Sequence, residues 1–336
     1  MIPFDWEAWG DRPVVRMPPR SASPTGRSIN RSGAPKRSGV SGCERKPDRA
    51  QPSINGGPDA NKRNRMLENK RIAVLGAGKL GEALITGMLD AEVVSRKQFI
   101  ATAAHKERLE QLQTKLDIET TLSNGEAVRK AHLVLLCVKP QTVEEVLRQV
   151  SDLLTPDHIV ISVAASVTAR FMETIIDKPV PVIRTMPNTP CFIKKGMTAI
   201  APGKHATAEH VAQARKIFDA IGRTLILDEK HMDAVTGLSA SGPAFVYIII
   251  ESFIEAGVKV GLPREAATQL AAQMVLGASS MVLQTGEHPA KLKDIVTTPA
   301  GCTIDGILEL EDGGLRVTLI KAVVRATQRA RELVNG

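Results

Sequence analysis

Two short runs hold the residue types that chemistry needs. In the first, Gly76-Ala77-Gly78-Lys79-Leu80-Gly81, glycines recur as G-x-G-x-x-G. That spacing alone is weak, because glycines fall into it by chance. Here it follows an apolar strand-like run, residues 71–75, and opens a stretch of helical spacing, residues 79–91. In that context Gly76 permits a tight turn, Gly78 lets backbone approach a pyrophosphate, and Gly81 allows close helix packing. The free N–H groups of the helix start then face the phosphates. The expectation is a dinucleotide site. A nucleoside-triphosphate P-loop is excluded, since Gly81 is followed by Glu82 and not by Lys with Ser or Thr.

The second run, Thr298-Pro299-Ala300-Gly301-Cys302-Thr303, sets two hydroxyls in a Pro/Gly turn. A turn that opens a helix offers backbone N–H groups to a carboxylate. The Thr303 hydroxyl, with Thr298 nearby, can give or accept a hydrogen bond at a bound ligand. No strong acid or base is present, which suits a reaction whose difficult step belongs to a bound cofactor. The bland reading is that Thr298 caps a helix and Thr303 packs within it. Cys302 has no identifiable base to activate it. His231 and His288 fall near element ends, where capping or solvated histidines are commoner than acids. No His/Cys/Asp grouping has metal-ligand spacing, so no metal is expected.

Sites for NAD place Asp or Glu roughly 20 residues beyond the glycines, on the ribose hydroxyls. Here the second strand ends in Thr102-Ala103-Ala104-His105-Lys106, with no carboxylate before Glu107. The missing acid, with His105, Lys106 and Arg108 nearby, favours the 2′-phosphate of NADPH, with NADH as the alternative. An ordinary charged helix surface is the other reading of those three.

The elements that must position these residues follow from periodicity. Strand-like runs at 98–102, 132–138, 158–163 and 180–184 alternate with helical spacing, and 132–138 is apolar throughout. Such alternation implies an α/β Rossmann-type, doubly wound parallel sheet. Past residue 227 strand patterns stop, and residues 232–260, 264–285 and 316–334 are long, Ala-rich and helical in period. Three segments are expected: a disordered basic extension (1–65), a dinucleotide-binding domain (66–228) and an all-helical substrate and dimerisation domain (229–336). Several of the last helices are apolar on more than one face, which points to burial against a second subunit. The longest apolar run, residues 244–250, reads as a buried helix, and no window reads as a membrane span.

The chain carries a net charge of +8, but residues 1–65 hold +7 of it. The basicity lies outside the expected folded body, which argues against nucleic-acid binding. That extension is rich in Pro, Gly, Ser and Arg and lacks an apolar period, so disorder is expected. Asp5, Glu7 and Asp11 count against a transit peptide. The favoured account is translation starting at Met66 or an extension without function. Scattered Cys43, Cys137, Cys191 and Cys302 are read as reduced thiols of a cytoplasmic protein.

From about Met66 onward the sequence resembles the pyrroline-5-carboxylate reductases. Four blocks carry the resemblance: Val138-Lys139-Pro140-Gln141, Arg184-Thr185-Met186-Pro187-Asn188-Thr189-Pro190, the run from Asp233 to Phe245 containing Leu238-Ser239-Ala240-Ser241-Gly242-Pro243, and residues 288–306. The resemblance implies reduction of 1-pyrroline-5-carboxylate to L-proline by NAD(P)H, in a homodimer or higher homo-oligomer. It implies a cofactor site lined by Leu75, Gly76, Ala77, Gly78, Lys79, Leu80, Asn124, Cys137, Val138, Lys139, Pro140, Val163, Ala164 and Ala165. It further implies a substrate turn of Ala300, Gly301, Cys302 and Thr303, with Thr303 and Thr298 as the catalytic hydroxyls, where cofactor and substrate meet between subunits. Three departures stand out. Thr298 replaces a usual serine, and Ala300 and Ser166 replace usual glycines. The β-hydroxyacid dehydrogenases share the layout but carry a catalytic lysine in the first helix of the second domain. No lysine occurs between Met232 and Val258. An imine reductase for another ring and a non-catalytic NADPH sensor remain the alternatives.

Overall fold

Short runs without polar alternation form the centre of the molecule, a computed structural model that describes residues 65–333. The expected basic extension, apart from Arg65, lies outside the described residues. Strands β1 (Ile72–Leu75), β2 (Phe99–Thr102), β4 (Leu133–Leu136) and β5 (Ile159–Ser162) are buried at every position. Their side chains alternate between two cores. Ile72, Val74, Leu133 and Leu135 face one layer, and Ala73, Leu75, Val134 and Leu136 face the other. A strand covered on both faces has no use for polar residues, hence the unbroken apolar runs.

Helices cover both faces. One layer comes from α1 (Lys79–Asp90), α2 (Lys106–Leu116) and α6 (Ala208–Asp219), through Leu84, Met88, Leu112 and Phe218. The other comes from α3 (Asn124–Arg129), α4 (Val143–Val150) and α5 (Ala169–Ile176), through Val128, Leu147 and Met172. With β3 (Glu119–Thr121), β6 (Val182–Met186), β7 (Gly196–Pro202) and β8 (Gly222–Ile226), the strand order is β3-β2-β1-β4-β5-β6-β7-β8. The order reverses between β1 and β4, which pair parallel from Ile72 with Leu133 to Leu75 with Leu136. Ligands of such sheets bind outside the strand ends at that reversal.

The sheet is not wholly parallel. β7 runs antiparallel to β6, and β8 runs parallel to β7. The link from Met186 to Gly196 holds only a 3₁₀ turn, Thr189–Ile193. A parallel crossover needs a dozen or more residues, so so short a connection returns the chain antiparallel. Strands β3, β7 and β8 escape sequence reading because β3 is polar and partly exposed and β8 is largely exposed.

Beyond β8 the chain is helical: α7 (Met232–Val235), a π-helical turn (Thr236–Ala240), α8 (Gly242–Lys259), α9 (Arg264–Thr285), α10 (Pro289–Val296), α11 (Cys302–Asp312) and α12 (Leu315–Glu332). From α8 to α12 the only buried residues are Ala267, Ala271 and Ala330. The apolar run 244–250 is helical as expected, but it is not buried in the single chain. Tyr247 is 60% and Ile248 63% exposed. The helical stretches 229–259 and 264–285 are long and apolar enough to span a membrane by length and composition, a test that packed helices also pass.

The two halves are joined at β6. Arg184, buried in that strand, pairs with Glu229 and Asp233 at 3.4 Å each. Glu229 also accepts the Ala169 N–H at the start of α5 (2.6 Å). Asn188 donates to the Ser239 carbonyl of the π turn (3.3 Å) and accepts the Met197 N–H (2.8 Å).

Candidate functional site

The glycine-rich loop leaves β1 and opens α1 at the sheet's order reversal. Gly76 sits at φ +78°, and a Cβ there would lie 2.4 Å from Val138 Cγ1. The loop is pinned to the end of β2. Ala77 N–H donates to the Thr102 carbonyl (2.7 Å) and Gly76 N–H to the Thr102 hydroxyl (3.2 Å). That hydroxyl in turn donates to Asn124 Oδ1 (2.7 Å), and Asn124 donates to Gln149 (2.8 Å). Thr102, which sequence reading passed over as a site residue, thus ties the loop to Asn124.

Gly78 differs from its neighbour. A Cβ built on it meets nothing nearer than the Gly76 carbonyl oxygen at 4.0 Å. The space over Gly78 is therefore open to a ligand, and α1 begins there without a side-chain cap. Uncapped N–H groups beside a bare backbone form an anion cradle. The residues present fit a dinucleotide pyrophosphate.

Of the basic residues expected at a 2′-phosphate, Arg108 is otherwise engaged. Its Nε donates to the Ala77 carbonyl (3.1 Å), and Nη2 donates to the Gly78 carbonyl (3.2 Å) and pairs with Glu82. Lys115 also reaches Glu82 (2.6 Å). The Lys115 ammonium, and Arg108 after it, hold the Glu82 carboxyl below the usual carboxylate range against the opposing effect of burial. Arg108 thus braces the loop from behind, leaving His105 and Lys106 at the open end of β2. Arg108→Ala is expected to weaken NADPH and NADH by the same factor, about five-fold, since the guanidinium acts on the cofactor only through the loop it braces. A loss confined to NADPH in titrations of cofactor fluorescence would make Arg108 the phosphate reader instead.

The other expected cofactor residues converge on the same edge. Cys137 N–H donates to the Leu75 carbonyl (2.8 Å) and Val163 N–H to the Leu136 carbonyl (3.1 Å), so the ends of β1, β4 and β5 lie side by side. Val138 packs against Gly76, and Lys139, exposed, opens the 3₁₀ turn Pro140–Thr142. Burial pushes the Cys137 thiol up to about 12, so it stays uncharged beside the loop. Ala164 and Ala165 lead into Ser166, which adopts φ +62°.

The turn 298–303 stands apart. Gly301 N–H donates to the Thr298 carbonyl (3.0 Å), with Pro299 second and Ala300 third at φ +57°. This is the type II pattern, whose third position favours glycine. The alanine there costs roughly 1 kcal/mol of strain. Thr298 caps nothing, because the N-cap of α11 is Gly301 and makes no side-chain bond. His288 does cap, accepting the Ala290 N–H (3.2 Å). Thr298, Ala300 and Cys302 are exposed, Gly301 and Thr303 partly so. Among the described residues no hydrogen bond or ion pair links this turn to the cofactor strands. Within one chain, therefore, the cofactor loops come together and the turn does not join them.

Comparison with known proteins agrees with this layout. The pyrroline-5-carboxylate reductase dimerisation family matches residues 229–333, and the family described as NADP oxidoreductase coenzyme F420-dependent matches residues 71–166. A pyrroline-5-carboxylate reductase of Methanosarcina acetivorans is 43% identical over 267 residues, covering 80% of this chain and 99% of that protein. A Coxiella burnetii pyrroline-5-carboxylate reductase superposes with a TM-score of 0.75 at 31% identity, over 79% of this chain and 98% of that one. The Plasmodium falciparum enzyme, crystallised with NADP bound, gives 0.72 at 28% identity over the same shares. With its glycine loop, its helical half and nearly the whole length of these relatives matched, the chain belongs to the pyrroline-5-carboxylate reductase family.

Proposed function

We propose that this protein reduces 1-pyrroline-5-carboxylate to L-proline with NADPH, or less readily NADH, as a homodimer or higher oligomer. The observation that carries the reading is the open cradle at Gly78, at the order reversal of the sheet, in a chain of this family. A reduced nicotinamide bound there supplies the hydride. The chain's own residues bind and orient. The loops ending β1, β4 and β5 hold the dinucleotide along the sheet edge. The uncapped start of α11 offers N–H groups to the substrate carboxylate. Thr303 Oγ hydrogen-bonds to the ring nitrogen and holds it protonated, with Thr298 beside it, so that orientation contributes much of the acceleration.

The exposed turn needs a wall opposite it, and the exposed apolar helices need a cover. A second subunit supplies both: its cofactor edge faces the turn, and α8 and α9 pack between chains. The segments 66–228 and 229–336 then act as cofactor half and as substrate and dimerisation half.

The test is the purified chain with pyrroline-5-carboxylate and NADPH, following cofactor absorbance and proline. Thr303→Ala is expected to lower kcat about 30-fold, as for a lost hydrogen bond to a charged group, with NADPH affinity unchanged. NADPH binding without turnover would move the function to another imine or to a sensor.

A further inference from the structure

Ser166 is a residue that backbone geometry disfavours and that something must therefore hold. It follows Val163, Ala164 and Ala165, in the left-handed region at φ +62°. Most side chains avoid that region, and strained positions persist only where the surroundings over-determine them. The hydroxyl of Ser166, 7% exposed, donates to the carbonyl of Ala330 (3.1 Å), 164 residues away in the last turn of α12. Ala330 is the one buried residue of that helix.

The rest of the β5–α5 loop shows what this bond does. Its far end is fixed twice, by the Thr168 cap on the Phe171 N–H (3.1 Å) and by Glu229 on the Ala169 N–H. Its middle packs inward through Val167, which is buried in the core on that face of the sheet, and is open only on its outer side. Ala165, Ser166, Val167 and Thr168 border a cleft of ≈ 410 Å³ shared with Phe171 and Leu333. On that open side, the Ser166–Ala330 bond is the side-chain hydrogen bond that ties the loop to α12. α12 itself is seated on the π turn, where a Cβ on Gly237 would fall 2.2 Å from Thr327 Oγ1. The last helix of the dimerisation half is thus a fixed strut under a loop of the cofactor half.

We propose that Ser166 is a positioning residue of the cofactor site, using the last turn of α12 to pre-set the β5–α5 loop for NADPH. The inference rests on the cofactor reading given above. A pre-set loop loses less freedom on binding, so the bond acts on affinity and not on the bound state.

The experiment compares the full chain with Ser166→Ala and Ser166→Gly, titrating NADPH by its own fluorescence and measuring thermal unfolding. Both variants lose the hydroxyl, but only glycine relieves the backbone strain. The expected result is NADPH affinity weakened about five-fold in both, the worth of one buried hydrogen bond. Thermal stability falls for the alanine variant and holds or rises for the glycine variant, while kcat at saturating NADPH stays within about two-fold. Unchanged affinity in both variants overturns the proposal, since the hydroxyl would then only compensate strain. Affinity that tracks thermal stability, lost with alanine and kept with glycine, overturns it as well. Failure of the unaltered chain to bind NADPH overturns the cofactor reading and this proposal together.

Discussion

Gly78→Ala is expected to leave the protein as stable as before, within about 0.5 kcal/mol, yet to weaken NADPH about 100-fold. The added methyl meets no atom of the chain within 4 Å beyond the Gly76 oxygen at that limit. Its only obstacle is the dinucleotide that the open space is shaped to admit, and a methyl forced into a filled site costs about 1–3 kcal/mol. Gly76→Ala is the internal contrast. There the methyl meets Val138 Cγ1 at 2.4 Å in a backbone at φ +78°. Stability and binding should fall together, by about 2–5 kcal/mol of folding free energy. Thermal unfolding and NADPH titration on both variants decide the matter. If Gly78→Ala binds NADPH normally, the pyrophosphate does not lie over Gly78 and the cradle is misassigned.

Arg184→Ala should be the most damaging change remote from the cradle, at about 3–5 kcal/mol, or roughly 10 °C in unfolding temperature. The guanidinium is 3% exposed, and its removal leaves Glu229 and Asp233 facing each other's charge across a void. Arg184→Met keeps much of the volume. It should cost less, because both carboxylates are about one-quarter exposed and can be hydrated. A loss below about 1 kcal/mol for the alanine variant would mean that the pairs at 3.4 Å hold the halves together only weakly. Glu229 bears on α5 as well as on Arg184, so the same variant should loosen the Ala169 end of the β5–α5 loop.

Much of the first half was legible before any coordinates. Residues 72–75 and 133–136 announce strands because positions covered on both faces admit only apolar side chains, and G-x-G-x-x-G between strand and helix announces its ligand. The capping role of His288 followed from its place at an element end. β7 was harder, since its direction depends on the length of the link from Met186 and not on its own residues. Within the basic run near 105–108, Arg108 was hard to read for a related reason. Charge is visible in sequence, but what a guanidinium touches is not, and Arg108 turned out to face two loop carbonyls and Glu82.

By itself, the sequence determined local conformation and the inventory of groups: which runs are strands, where backbone can turn, and which hydroxyls and glycines are available. Ala300 and Ser166 were visible as non-glycine residues at positions where the resemblance suggests glycine. Only the tertiary structure decided that both occupy the left-handed region, and that Ser166 spans 164 residues to Ala330. It also decided that residues 244–250 lie on the surface of one chain and that the turn 298–303 stands away from the cofactor strands. The physical reason is the range of the forces involved. Propensity and periodicity act over a few residues and are written in order along the chain. Burial, long-range hydrogen bonds and the joining of cofactor to substrate depend on distances that exist only once the chain has closed on itself.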